Sequence, residues 1–130
     1  NIYNEGYKII SNYYIPSNNS NSRDLELNDV ITSKLNSGYT PSYKICEYDD
    51  YFIVNIHLSV NEDFITNTIV IGHLGFNINK TTKIPCNFIS HDNTSFNGFI
   101  QFKWDGEISI IKLDSSATWR HATASGMVIK

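Results

Sequence analysis

Between Trp104 and Glu107 the chain reads Asp105-Gly106, with a strand-like run on either side. Phe99-Ile100-Gln101-Phe102-Lys103-Trp104 precedes it and Glu107-Ile108-Ser109-Ile110-Ile111 follows. Two such runs joined by an Asp-Gly step are the strongest short-range hairpin signal. Paired strands twist, and a two-residue connection that matches the twist needs positive φ at both positions. Glycine reaches that region freely and aspartate tolerates it, so a type I′ turn is expected at Asp105-Gly106. Such a chain folds as antiparallel hairpins, and its function has to suit a β scaffold.

The rest of the pattern agrees. Ile, Asn, Ser, Tyr and Thr are abundant and Ala is scarce, which is β-branched and aromatic stock with turn formers between. Residues 7–15 are expected to form a strand, and the Asn/Ser run 17–22 reads as an exposed link. Residues 1–22 are therefore an N-terminal arm and residues 23–130 the main body. Within 25–35, Leu27, Val30, Ile31, Lys34 and Leu35 sit at helical spacing, with Asp24 as a cap and 36–38 as a stop. A short helix and two short strand pieces both fit there. Phe52, Val54, Ile56, Leu58 and Val60 alternate with Ile53, Asn55, His57 and Ser59, a half-buried strand that turns His57 to solvent.

Residues 61–63 read as a loop, and a strand resumes over 65–71. Gly72 and Gly75 mark a bend, and Ile84-Pro85 favours an extended edge or a loop. Phe88-Ile89 is a short strand, 91–95 a loop and 114–116 a turn. A last pair of strands lies around 118–122 and 127–129. The fold class is all-β, an antiparallel β-sandwich of jelly-roll or Greek-key-like order. Trp104, Trp119 and most Phe residues belong to its core. No repeat of fixed period is visible, although the Gly/Pro segments 38–41 and 75–85 echo each other.

A single domain of 130 residues with 41% apolar residues can bury a core without staples. Cys46 and Cys86 lie in no metal-ligand spacing and read as small apolar side chains, with one disulfide as the alternative. The net charge of −3, with no Lys/Arg stripe, argues against a nucleic-acid partner. No apolar run reaches about 18 residues, so no membrane span or signal peptide is expected. The chain starts at Asn1 and its only Met is Met127, which reads as a fragment or processed form.

Catalysis finds little footing. No GxSxG elbow occurs. The near pairs Asp49-Asp50, Glu62-Asp63 and Asp105/Glu107 fall in expected turns, where carboxylates serve turn chemistry. His57, His73, His91 and His121 match no HxH or HExxH spacing, so neither a metal nor a cofactor is expected. Saccharide binding suits the stock better. Sugars offer apolar C–H faces and rings of hydroxyls, which call for aromatic surface beside amide, carboxylate, guanidinium or imidazole groups. The densest such cluster is Trp119-Arg120-His121, where Arg120 could also grip a phosphate of a teichoic-acid-like polymer. His91-Asp92-Asn93 and the Tyr48, Asp50 and Tyr51 segment are the next candidates.

Several runs carry a resemblance: Ile69-Val70-Ile71-Gly72-His73-Leu74, Ile84-Pro85, Gly98-Phe99-Ile100-Gln101-Phe102, Asp105-Gly106-Glu107-Ile108-Ser109-Ile110, Trp119, and Ala124-Ser125-Gly126-Met127-Val128-Ile129. Together they resemble the C-terminal receptor-binding head domain of phage tail-fibre and baseplate proteins of Gram-positive hosts. Gly75 stands where that family commonly has Pro, and the family's Gly-Tyr-x-Pro phrase occurs here at 38–41. The resemblance implies a homotrimeric β-sandwich head on the virion tail, acting outside the cell, that binds a cell-surface saccharide without cleaving it. Three other readings stand beside it: a monomeric, secreted bacterial carbohydrate-binding or adhesion module, a glycan hydrolase domain, and a purely structural fibre segment that binds no cells.

Overall fold

The structure, a computed structural model, describes residues 22–64, 67–114 and 116–130. The strand expected at 7–15, and the arm that carries it up to residue 21, lie outside the described residues. The expected antiparallel all-β fold is what the structure shows. Its strands are β1 (Ser22–Asp24), β2 (Glu26–Leu27), β3 (Ser42–Glu47), β4 (Tyr51–Phe64), β5 (Thr68–His73), β6 (Thr82–Ile89), β7 (Ser95–Phe102), β8 (Glu107–Lys112) and β9 (Trp119–Ile129). One helical turn, α1 (Asp29–Thr32), follows β2.

All nine strands join one sheet in the order β1-β3-β4-β9-β6-β7-β8-β5-β2. Because β1 and β2 are consecutive in sequence, the two ends of this order are one piece of chain. Ser22 to Asp24 pair with β3, the Leu25 amide still reaches the Tyr43 carbonyl at 2.7 Å, and Glu26 and Leu27 then pair with β5. The sheet is thereby rolled into a nearly closed barrel, whose opposed walls are the two layers of the expected sandwich. Gly72 permits the closure: a Cβ there would lie 2.1 Å from the Glu26 carbonyl oxygen.

The order is Greek-key twice over. β6, β7 and β8 form a meander and β9 returns beside β6. Counting β1 and β2 as one strand, that strand, β3 and β4 run in series and β5 returns beside the first. The halves meet at the β4–β9 and β5–β8 ladders. The Gly/Pro segment 38–41 precedes the second strand of one half, whereas 75–85 runs into the first strand of the other. They do not occupy equivalent places.

The core is the barrel interior. Phe52, Val54, Ile56, Leu58 and Val60 all face it, as their alternation predicts, and His57 faces out. β9 answers with small residues: Leu58 stands opposite Ala122, Ile56 opposite Ala124 and Val54 opposite Gly126. On its other flank Phe88 meets Ala122 and Cys86 meets Ala124. Large side chains on both neighbours leave room for only small ones between them. The weak apolar signal over 123–126 therefore marks the middle of one long strand, not a break between two.

Other expectations are corrected. The single turn α1 is capped by Asn28, whose Oδ1 accepts from the Val30 amide at 3.2 Å, and not by Asp24, which is in β1. Residues 61–63 are not a loop: they extend β4, at a bulge where its register with β9 jumps between Ser59 and Phe64. Pro85 sits inside the eight-residue β6, where the ladder to β9 begins only at Cys86, so one flank of Pro85 needs no amide. Residues 42–47, unassigned from sequence, form β3. Trp104, expected in the core, is 54% exposed at the β7–β8 turn.

That turn is not type I′. Among the described non-glycine residues only Asn93 has positive φ, so Asp105 does not, while Gly106 has φ 95°. The Gly106 amide donates to the Lys103 carbonyl and the Lys103 amide to the Glu107 carbonyl, both at 2.8 Å. This is a three-residue loop with a left-handed last residue. The β6–β7 turn repeats it: Asn93 donates to Ser90, Ser90 to Thr94, and Asn93 has φ 69°.

Cys46 and Cys86 are free thiols. They lie on β3 and β6 with β4 and β9 between them, and no disulfide joins them. Burial pushes the Cys86 thiol up to about 12, against a hydrogen bond from the Thr123 backbone.

Candidate functional site

The bulge in β4 brings Asp63 to the rim of the barrel. Two of the sequence-predicted clusters meet there. Arg120, at the start of β9, donates from Nε to Asp63 Oδ1 at 2.6 Å. The imidazole of His91, on the β6–β7 turn, stands with Nδ1 3.7 Å from Asp63 Oδ2. All three side chains are partly exposed. Among the described residues the terminal nitrogens of Arg120 hold no other bond, so part of its guanidinium faces outward as a donor. Beside the trio lies a pocket of about 210 Å³, bounded by the β6–β7 turn, the half-buried ring of Phe96, and Ala117 and Thr118.

Trp119 does not belong to this surface: of its two expected places, the core and the binding cluster, it takes the core. It is fully buried, stacked on Phe64 at 5.1 Å between centroids and tilted against Phe88 at 5.6 Å. The bulge explains this. Regular alternation from Ala122 and Ala124 would turn Arg120 inward, and the register jump between Ser59 and Phe64 turns Trp119 inward in its place. His121 lies on the outer face, where Tyr39 meets it edge-on at 5.5 Å.

Asp92 is close by but occupied. Its Oδ1 accepts from the Ser90 hydroxyl and, at 3.1 Å, from the Thr94 amide. The Ser90 and Thr94 hydrogen bonds hold its carboxyl at about 2, below the ordinary 3.8. Its work is to shape the turn. Asn93 is the exposed left-handed residue of that turn.

Tyr48, Asp50 and Tyr51 are not part of the rim. The two tyrosines stack at 4.8 Å at the β3–β4 hairpin, the other end of β4, a path of at most about 40 Å along the strand at ~3.3 Å per residue. The Asp50 carbonyl accepts the Lys130 amide at 2.9 Å. The hairpin adjoins an outward row of Cys46, Ile53 and Met127, continued by Ile129 beside Tyr51. Ile53 is 45% exposed, and Met127 and Ile129 are each 56% exposed.

Sequence reasoning missed three residues of the rim. Asp63 was visible as the acidic residue that breaks the alternation of β4. Phe96 carried no signal beyond being a strand aromatic. Lys112 did carry one: Ile108, Ile110 and Lys112 share a face, so the lysine is buried, its ammonium on the Ala117 carbonyl, and burial lowers its pKa while Asp114 opposes. No group of three His, Cys, Asp or Glu side chains among the described residues is placed to hold a metal ion. Comparison of the chain with protein-family models, with curated proteins and with solved structures found no match.

Proposed function

We propose that this domain recognises a cell-surface saccharide without cleaving it, at the rim where Asp63 gathers Arg120 and His91. The observation that carries the reading is that pairing: two stretches 29 residues apart, 91 and 120, converge on one carboxylate beside a pocket with an aromatic wall. A guanidinium with open donors, an imidazole and a phenyl edge suit a hydroxylated ring that carries an anionic substituent. The two acids at the rim do not favour hydrolysis. Asp63 is tied up in an ion pair with Arg120 and Asp92 in the hydrogen bonds of its own turn, whereas glycoside cleavage uses one carboxyl as acid and a second, open one as base or nucleophile.

The resemblance to phage head domains extends this to a homotrimer on a virion tail, each site binding weakly and the assembly gaining by avidity. The apolar row of Ile53, Met127 and Ile129 supports self-association, because contiguous exposed apolar surface is uncommon on a monomer. Light scattering after gel filtration should give a mass near three chains, and a fluorescent fusion should stain a narrow set of Gram-positive strains. Arg120→Ala should weaken staining at least several-fold with an unchanged melting temperature, and His121→Ala less so. Full staining by Arg120→Ala rejects the rim as the site, and a monomer of high affinity favours the secreted module.

A further inference from the structure

The rim pocket does not stand alone. Phe96, which bounds it, also lines a shallow hollow of about 590 Å³ with Asn97, Leu113 and Asp114. Asn97 and Leu113 in turn bound a third hollow of about 500 Å³ that lies over β7, β6 and β9. We infer that these three hollows form one groove that takes an extended saccharide chain, its uncharged rings along the groove and its anionic end gripped by the rim.

The inference rests on the rim reading and adds the length and the chemistry of the ligand. Gly98, Cys86 and Ala124 stand side by side across β7, β6 and β9. Gly98 has no side chain and those of Cys86 and Ala124 are buried on the core side, so backbone alone floors the third hollow there. The next row is Asn97, Asn87 and Thr123, all exposed, which offers two amides and a hydroxyl in a line across the strands. Phe99 opposite Pro85 adds an apolar facet, and Leu113 another. Neutral donors and acceptors between flat apolar facets match the hydroxyls and C–H faces of sugar rings. An extended peptide fits less well. From Cys86 to Ile89 β6 is paired on both sides, so no free edge is there to add a strand. From Thr94 to Phe99 the groove follows β7 for about 17 Å at ~3.4 Å per residue, room for several rings.

The test is a printed array of linear bacterial oligosaccharides of one to eight sugars, with unglycosylated cell-surface peptides as a second panel. The full chain is the probe, beside Asn97→Arg, Thr123→Arg and Arg120→Ala. The expected signal climbs with chain length. Asn97→Arg and Thr123→Arg, outward changes that should melt with the parent protein, lose at least tenfold on the longer chains and little on the shortest. Arg120→Ala loses signal at every length. Equal signal at all lengths, or groove variants that bind like the parent, overturns the groove and leaves the rim standing. Loss through the groove variants with Arg120→Ala unaffected keeps the groove and overturns the rim. Signal on peptides in place of sugars overturns the ligand class.

Discussion

At the hairpin end of the barrel, Glu47 accepts from Arg23 Nε at 2.9 Å and from Lys130 Nζ at 3.0 Å. Both cations also lie over the Phe76 ring, at 5.7 and 5.2 Å from its centroid, and Arg23 donates further to the Leu74 carbonyl. At the rim end one carboxylate again meets two basic side chains, but Asp63 holds Arg120 by a single nitrogen and His91 at 3.7 Å. The first arrangement ties β1, β3, the 74–79 segment and the end of β9 into a closed network. The second leaves donors pointing outward. A carboxylate between two basic side chains makes a fastening in one place and a receptive surface in the other, and what separates them is how many of their hydrogen-bonding positions are already filled.

The largest expected effect separates the two tryptophans. Trp119→Ala empties the floor beneath the rim and should cost about 3–5 kcal/mol in urea unfolding, whereas exposed Trp104→Ala at the other end should stay within about 0.5 kcal/mol. Equal costs would break the contrast. Next are the paired turns. Gly106→Asn should cost about 1–3 kcal/mol, because a Cβ there would sit 2.6 Å from the Phe76 carbonyl oxygen and 2.8 Å from His73 Cε1. Asn93→Gly, at the same place in the rim turn, should be nearly neutral in the same melt.

Smaller still is the difference between the acids. Glu47→Ala should lose about 1–2 kcal/mol and Asp63→Ala less than about 1 kcal/mol. Partial burial raises the Glu47 carboxyl, but the Lys130 and Arg23 hydrogen bonds outweigh it, and the net shift is below the usual value. A carboxyl lowered by folding contributes stability that is fully present above its unfolded pKa. That contribution fades as pH drops through the lower folded value. Glu47→Gln should therefore flatten the acid limb of the stability curve below about pH 4.5, and an unchanged limb would show that the clamp is not formed in solution. The smallest effect is local. The Asp92 carboxyl should titrate near 2 by NMR, so whatever order it lends its turn is kept above about 4 and lost on going down to 2. A midpoint at the ordinary 3.8 would mean that its bonds to Ser90 and Thr94 are absent.

Much of the fold was legible because strand periodicity is a local property. The five inward residues of β4, the outward His57 and the hairpin at 105–106 follow from alternation and turn chemistry alone. Long strands of small residues are harder: β9 divides in two on paper because Ala122, Ala124 and Gly126 answer bulk on β4 and β6, which lie more than 30 residues away. Of the candidate sites, Arg120 and His91 were legible as polar groups near aromatics, and Trp119 suited both the core and the binding cluster. Its orientation depends on a bulge in another strand, and no window of sequence around 119 contains that bulge.

Alone, the order of residues determined that this chain is antiparallel β, where most of its strands run, and which side chains are available for recognition. Only the tertiary structure decided that the segment 22–27 closes the barrel, that Asp63, His91 and Arg120 share a rim, and that Tyr48 and Tyr51 lie at the far end. The reason is that periodicity is written within a strand by its own stereochemistry. Adjacency between strands is settled by how distant side chains fill a common interior.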